Sequence, residues 1–346
     1  MAKKKKEKPE IKKKKSALDM ALSKIEKQFG KGAIIQLDSD FKVEVNAIPT
    51  GSLSLDLAIG VGGVPRGRVI EIYGTESSGK TTLCLSLAKQ TQKMGLKAAY
   101  IDAEHSFDRD WARKIGVNLQ DLLFSQPNSG EEALTIAQTL IESNEVGLII
   151  VDSVASLTPK AEIEGEMEDA QIGLQARLMS KAMRKLTSVI NTSNTCVVFI
   201  NQIREKIGVR FGSPETTPGG RALKFYSSVR IDLRRREILK KGEDAIGTKV
   251  KATIKKNKVA SPFKIAEFFI YNDEGVSYVG EIVYLAIKHG IIGKAGSWFS
   301  FNEENLAQGQ EGTRQYLKEN PEVLKKIEEQ VFNLLGLGKE KDEKKQ

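Results

Sequence analysis

The sequence predicts an α/β fold in which a mostly parallel sheet is covered by helices on both faces. Three observations carry this. Between about residues 42 and 277, short apolar runs alternate with longer helical stretches: Val69–Tyr73, Ala98–Ile101, Leu148–Val151, Val197–Ile200 and Val229–Leu233. Continuous apolar strands indicate burial on both faces, which a parallel sheet with crossover helices provides. The first run feeds a glycine-rich turn and then a helical run, and the third ends in a carboxylate, Asp152.

Flanking this core, Leu18, Leu22, Ile25 and Phe29 repeat at helical spacing, and Gly30 and Gly32 end that pattern. Residues 33–37, Ala-Ile-Ile-Gln-Leu, read as a short strand. One helix and one strand cannot bury a core, so this arm, residues 16–41, must pack on another body. Residues 278–336 read as a small α+β domain. A helix runs through Val283–Ile287, a strand through Trp298–Phe301, and a second helix opens at Pro321 with Leu324, Ile327, Val331 and Leu334 on one face.

The chain of 346 residues is long enough for about two domains without disulfide or metal support. Cys84 and Cys196 stand alone in apolar runs, as buried thiols in a reducing compartment do. No apolar run reaches the roughly 18 residues that span a bilayer, and no signal-peptide core follows the basic N-terminus. The expectation is a cytoplasmic protein. Its net charge of +9 is concentrated: within residues 1–15, nine lysines against two glutamates leave +7, so only +2 remains elsewhere. Residues 1–15 therefore read as a solvated lysine-rich arm, with non-specific nucleic-acid contact as the alternative. Residues 337–346 read as a charged, disordered tail; Lys339–Gln346 nets +1.

Gly74-Thr75-Glu76-Ser77-Ser78-Gly79-Lys80-Thr81-Thr82 matches G-x-x-x-x-G-K-[ST] between a strand and a helix. In that context the glycines turn backbone N–H groups around a phosphate, and the helix N-terminus adds its dipole. Lys80 supplies a point charge to the β- and γ-phosphates, and Thr81 offers a hydroxyl to Mg²⁺. Asp152, at a strand end beside this loop, suits the metal's water shell. Hydrolysis also needs a group to position water. Glu104 follows the run Ala98–Ile101 and fits better than its neighbour His105. Taken alone, these residues fit a ring-shaped motor or a nucleotide-switched scaffold as well as a filament-forming ATPase.

Order and spacing of further segments resemble the bacterial RecA family over about residues 16–335. The matching stretches are Thr50–Asp56, Glu71–Thr82, Ile101–His105, Leu148–Leu157, Glu162–Glu166, Ala182–Leu186, Phe199–Arg204, Pro214–Gly220, Ala222–Tyr226 and Lys256–Lys258. The resemblance implies a RecA-type P-loop ATPase core, an N-terminal helix–strand arm used in polymerisation and a small α+β C-terminal domain. It implies ATP and Mg²⁺ as cofactors, Glu104 as the group that activates water, and Asp108 and Trp111 beside the adenine. Gln202 becomes a γ-phosphate sensor. The implied partners are single-stranded DNA, a homologous duplex, further copies in a helical filament, and a LexA-type repressor whose self-cleavage in the SOS response the filament stimulates. Arg234-Arg235-Arg236-Glu237 is more charged than the family pattern leads one to expect, so repressor contacts can differ. Many relatives carry an acidic C-terminal extension, a pattern from which Lys339–Gln346 departs.

Two segments resemble DNA-facing loops, around Glu162–Gly173 and across Ile203–Thr217. Arg204 and the apolar Ile172 and Ile207 belong to them, with Gly219 and Gly220 at the end of the second. Arg177, Ser180 and Arg184 follow the first loop on one face of a helix. Such contacts hold the backbone and leave sequence readout to base pairing. Lys256 and Lys258 resemble cations that reach a neighbouring subunit's nucleotide. Lys224, Phe225 and Arg230 resemble the facing side of that junction, and Ile34 lies in the arm that extends a neighbour's sheet.

Overall fold

The computed structural model describes residues 16–30, 33–34, 45–166, 173–205 and 214–337. They fall into two units, within residues 1–44 and 45–346. The first contains the helix Ala17–Phe29, started by a capping box in which Asp19 N–H donates to Ser16 Oγ and Ser16 N–H to the Asp19 carboxylate. None of its residues is buried, so the apolar stripe is left without a core. Ala33 and Ile34 form a bend, which corrects the strand expected there; residues 35–37 lie outside the described residues. So do the lysine-rich arm 1–15, Ile172, Ile207 and the segment 338–346.

The second unit is built on a nine-stranded sheet. Six strands are parallel, in the spatial order Val229–Lys241, Val69–Gly74, Cys196–Gln202, Val146–Asp152, Lys97–Asp102 and Leu122–Ser125. Beyond Val229–Lys241 the sheet continues antiparallel through Asp244–Asn257, Ile265–Tyr271 and Gly275–Val276. Alternate residues of the parallel strands feed opposite faces. On one face Ile70, Ile72, Tyr100, Ile150 and Val198 pack with Leu83 and Leu87 of the helix Lys80–Lys93. On the other, Val69, Ile101, Ile149, Val151, Val197 and Phe199 meet the helices Gly130–Glu142 and Leu174–Ile190. Both faces are thus dry, which is why the strands read as unbroken apolar runs.

The antiparallel extension is longer than the apolar run Val229–Leu233 leads one to expect. Val250, Ala252 and Ile254 alternate with more exposed neighbours, while Ala266 and the run Phe268–Tyr271 are buried. The C-terminal lobe has its own core of Ile282, Val283, Phe299, Phe301, Leu317, Ile327 and Val331. Its helices Tyr278–Lys288, Gly309–Glu319 and Pro321–Leu334 surround a small antiparallel sheet. Arg314, 2% exposed, joins the lobe to the main sheet by ion pairs to Asp273 and Glu274 and by its position over the Tyr271 ring. Among the described residues no helix is long and apolar enough to cross a membrane.

Candidate functional site

All the phosphate-site side chains stand at the C-terminal edge of the parallel strands. Gly74 ends its strand against the next one: a Cβ there would lie 2.2 Å from the Leu233 carbonyl oxygen and 2.7 Å from Ser78 Oγ. Only a bare backbone lets the loop turn this tightly. Ser78 Oγ is buried and, among the described residues, has no hydrogen-bond partner. A buried hydroxyl without a partner is costly, and a phosphate oxygen in the loop would supply one. Lys80 Nζ donates to the carbonyls of Thr75, at 2.7 Å, and Gly74, at 3.3 Å. Its pKa is lowered by burial, against the pull of Asp152, Glu104 and Glu76.

Thr81 Oγ1 donates to Asp152 Oδ2 at 3.1 Å, and the buried Tyr100 hydroxyl donates to the same oxygen at 2.5 Å. Burial raises Asp152 to about 6; the bonds from Tyr100 and Thr81 oppose the shift, while Glu104 and Asp102 add to it. A hydroxyl and a carboxylate in contact fit a Mg²⁺ shell, and a divalent cation would relieve the desolvated carboxylate. Ser153 Oγ donates to Glu104 Oε1, which also accepts Gln202 Nε2 at 3.1 Å. Asp102 shapes the loop carrying Glu104 by accepting the N–H groups of Ser106 and Phe107 and the Gln126 amide. Asp108 caps the helix Arg109–Ile115, and Trp111 Nε1 donates to Thr82 Oγ1 at 3.2 Å.

The residues expected to face DNA form a second group. Arg177, Ser180 and Arg184 are exposed on the helix Leu174–Ile190, whose other side buries Met179, Met183 and Leu186. Gly219 adopts φ +80, and its N–H donates to Gln175 Oε1 at 3.2 Å, so in this state that group is already paired. Cβ atoms at Gly219 and Gly220 would meet Val154 Cγ1 at 2.8 Å and Ala176 Cβ at 2.9 Å. Close packing on the turn Val154–Ser156 and on that helix is thus a second reason for the glycine pair, one the motif alone does not reveal. Arg204 is exposed in a short ladder, Arg204–Glu205 against Glu215–Thr216, that closes the base of the second loop. Arg234 grips Glu215 with two bonds of 2.9 and 2.6 Å.

The junction residues form a third group. Phe225 is 67% exposed. Lys256 Nζ donates to the carbonyls of Lys224, at 2.7 Å, and Phe225, at 2.8 Å. Its pKa is lowered by burial first, then by Lys258 and Arg230. Lys258 is exposed and Arg230 partly buried; Ile34, half exposed, belongs to the other unit.

A glycine-lined phosphate loop on a parallel sheet, facing a hydroxyl–carboxylate pair and a glutamate, defines a P-loop nucleotide-binding protein. A model of the RecA N-terminal domain matches residues 16–277, and one of the RecA C-terminal domain matches residues 280–336. "Protein RecA" of Geobacter sulfurreducens is 59% identical over 322 residues, covering 93% of this chain and 95% of that protein. "Protein RecA" of Bacillus subtilis is 56% identical over 322 residues, 93% of this chain and 92% of its own. The chain belongs to the RecA family. Membership supports a DNA recombinase function and ATP binding.

Proposed function

We propose that the chain is a DNA-dependent ATPase that polymerises on single-stranded DNA and pairs it with a homologous duplex. The observation that carries this is the Gln202–Glu104 hydrogen bond. Gln202 ends the strand Cys196–Gln202 and leads directly into the second DNA-facing segment, while Glu104 is the group suited to activate water. One side chain therefore touches both the hydrolytic group and the start of the loop, so nucleotide state and DNA grip can report on each other.

A bound Mg²⁺ would supply neutralisation of phosphate charge as the γ-phosphoryl of ATP passes to water. Lys80 gives up its loop carbonyls for phosphate oxygens, and Ser78 and the loop N–H groups line the cradle. Thr81 and Asp152 would hold the metal's shell. Glu104 orients the attacking water and takes its proton, and Trp111, tethered to Thr82, lies beside the base. Arg177, Ser180, Arg184 and Arg204 hold the DNA backbone, with Gly220, and with Gly219 once Gln175 releases it, while the apolar loop residues Ile172 and Ile207 wedge between bases. Lys256 and Lys258 act on a neighbour's nucleotide across a junction with Lys224, Phe225 and Arg230.

Sheet extension supports the filament reading. The outermost parallel strand, Leu122–Ser125, leaves Leu123 and Phe124 42% and 45% exposed at an open edge. An arm carrying Ile34 could add there, a head-to-tail contact that builds open filaments. By the same resemblance, the filament stimulates a LexA-type repressor's self-cleavage. Phosphate release measured with and without single-stranded DNA, with electron microscopy of the ATP-bound complex, tests the proposal. Stimulated turnover on open filaments is expected. Closed rings, or binding without turnover, would reject it.

A further inference from the structure

Glu71 has no part in the mechanism above, yet it is 0% exposed within the sheet. A buried carboxylate is tolerated only when its oxygens are paired. Glu71 Oε1 accepts Asn201 Nδ2 at 3.0 Å, and Glu71 Oε2 accepts Arg230 Nε at 2.5 Å. These donors come from the two strands that flank Val69–Gly74, one on each side.

Each partner leads to a different functional region. Asn201 Oδ1 accepts the N–H of Gln202 at 3.0 Å, and its Nδ2 also donates to the carbonyl of Pro218 at 3.1 Å, where the second loop ends. Arg230 lies over the Tyr73 ring at 4.6 Å and stands opposite Lys256, the residue holding the Lys224 and Phe225 carbonyls. Three side chains, Asn201, Glu71 and Arg230, thus run from the residue touching Glu104 to the exposed Phe225 junction. We propose that Glu71 is a positioning residue that couples the phosphate site at Gln202 to the protomer junction, through Asn201 and Arg230.

The physical reason is the cost of a missing donor. When the Gln202 side chain changes partner and its backbone follows, the Gln202 backbone N–H shifts against Asn201 Oδ1 and moves the Asn201 amide, whose donor is shared between Glu71 and Pro218. Glu71 has no water to replace a departing partner, so its hold on Arg230 must readjust. A continuous buried network with few spare bonds transmits that change to the surface. This inference rests on the function proposed above and deepens it.

The test uses the full chain, ATP and a poly(dT) oligonucleotide. Glu71→Gln keeps the shape but presents an N–H₂ to one of two donors. Unstimulated turnover and affinity for a fluorescent ATP analogue are expected to stay unchanged. DNA-stimulated turnover should fall about tenfold, and the Hill coefficient for ATP toward one, as loss of coupling between sites requires. Glu71→Asp, which keeps the charge, should recover part of both. Should Glu71→Gln fail to fold, Asn201→Ala cuts the same path, leaves the Glu71–Arg230 pair, and is expected to show the same loss. A folded variant that keeps its stimulation and Hill coefficient overturns the relay. Equal losses of unstimulated turnover, ATP affinity and stimulated turnover also overturn it, by making Glu71 merely structural. Wild-type protein without DNA stimulation would instead reject the functional reading, and the relay with it.

Discussion

Asp56 should make stability fall as pH rises, and Asp56→Asn should remove its share of that dependence. This residue lies on the short helix Leu53–Ile59, which meets the C-terminal lobe through Ser54 N–H donating to Glu281 Oε1 at 2.5 Å. Burial raises the Asp56 carboxyl from 3.8 to about 7; bonds from Thr50 oppose this and Glu281 adds to it. Glu281, wholly buried, is raised by burial too. A folded-state pKa above the unfolded one means that the folded protein binds the extra proton. The stabilisation is full below about pH 4 and is lost as pH rises through about 7. At about 1.4 kcal/mol per pH unit, the change between pH 5 and 8 is about 3 kcal/mol. Asn keeps an acceptor for Thr50 N–H, now at 2.8 Å, without titrating. Urea unfolding midpoints at pH 5 and 8, converted with a common slope, should show the variant gaining about 3 kcal/mol on the wild type over that interval. Parallel profiles for the two proteins would refute the reasoning.

Lys80→Ala should cut ATP hydrolysis by roughly 10²–10³-fold while the circular dichroism spectrum stays native, since one preorganised charge is commonly worth that much; near-normal turnover in a phosphate-release assay would remove Lys80 from the site. Lys256→Ala with Lys258→Ala should abolish DNA-stimulated hydrolysis while ATP still binds. Mixing this variant with wild type should depress activity more steeply than the mutant fraction, and strict proportionality would exclude action on a neighbour. Deleting residues 1–15, which carry +7, should make single-stranded DNA binding less salt-dependent, by up to about 0.7 in the log–log slope for each phosphate that the arm no longer neutralises; superimposable salt titrations would show that the arm neutralises none.

The phosphate site is legible in the sequence because each part is local. Gly74–Thr82 is a continuous motif, and Glu104, Asp152 and Gln202 each follow an apolar run whose end the sequence marks. Parallel pairing then brings those ends together without further information: Asp102 stands beside Asp152, and Gly74 beside Gln202. Tyr100 and Ser153 are not legible as site residues. An apolar run containing a tyrosine, or a serine after an aspartate, signals nothing until strand order is known. Glu71 is less visible still, since its partners lie 130 and 159 residues further along the chain. Lys256 reads as an outward-reaching cation, but a helix-end role within its own chain depends on where the Lys224 and Phe225 carbonyls fall, which no spacing encodes. The Ala33–Leu37 strand rests on β-branched content alone; Ala33 and Ile34 form a bend, and residues 35–37 lie outside the described residues.

Sheet register also bears on which nucleotide Lys256 and Lys258 can serve. The phosphate loop leaves the sheet at Gly74, opposite Leu233. Lys256 stands opposite Arg230, which pairs with Glu71. Lys258 N–H donates to the Ser228 carbonyl, and Ser228 N–H donates to that of Val69, at the start of the same strand. The two lysines therefore lie towards the edge of the sheet where the parallel strands begin, and the loop lies where they end. From the levels of Val69 and Glu71 to Gly74 are five and three residue steps, roughly 16 and 10 Å at about 3.3 Å per residue, and two strand spacings add about 10 Å sideways. A four-carbon stem spans neither distance, and the ammonium of Lys256, the nearer of the two, is occupied by two carbonyls on its own side. The phosphate held by their own loop is thus out of these lysines' reach, so the role proposed for them requires a nucleotide presented by another copy at the edge where the strands begin. A head-to-tail contact, with the finishing edge of one sheet facing the starting edge of the next, would present one there.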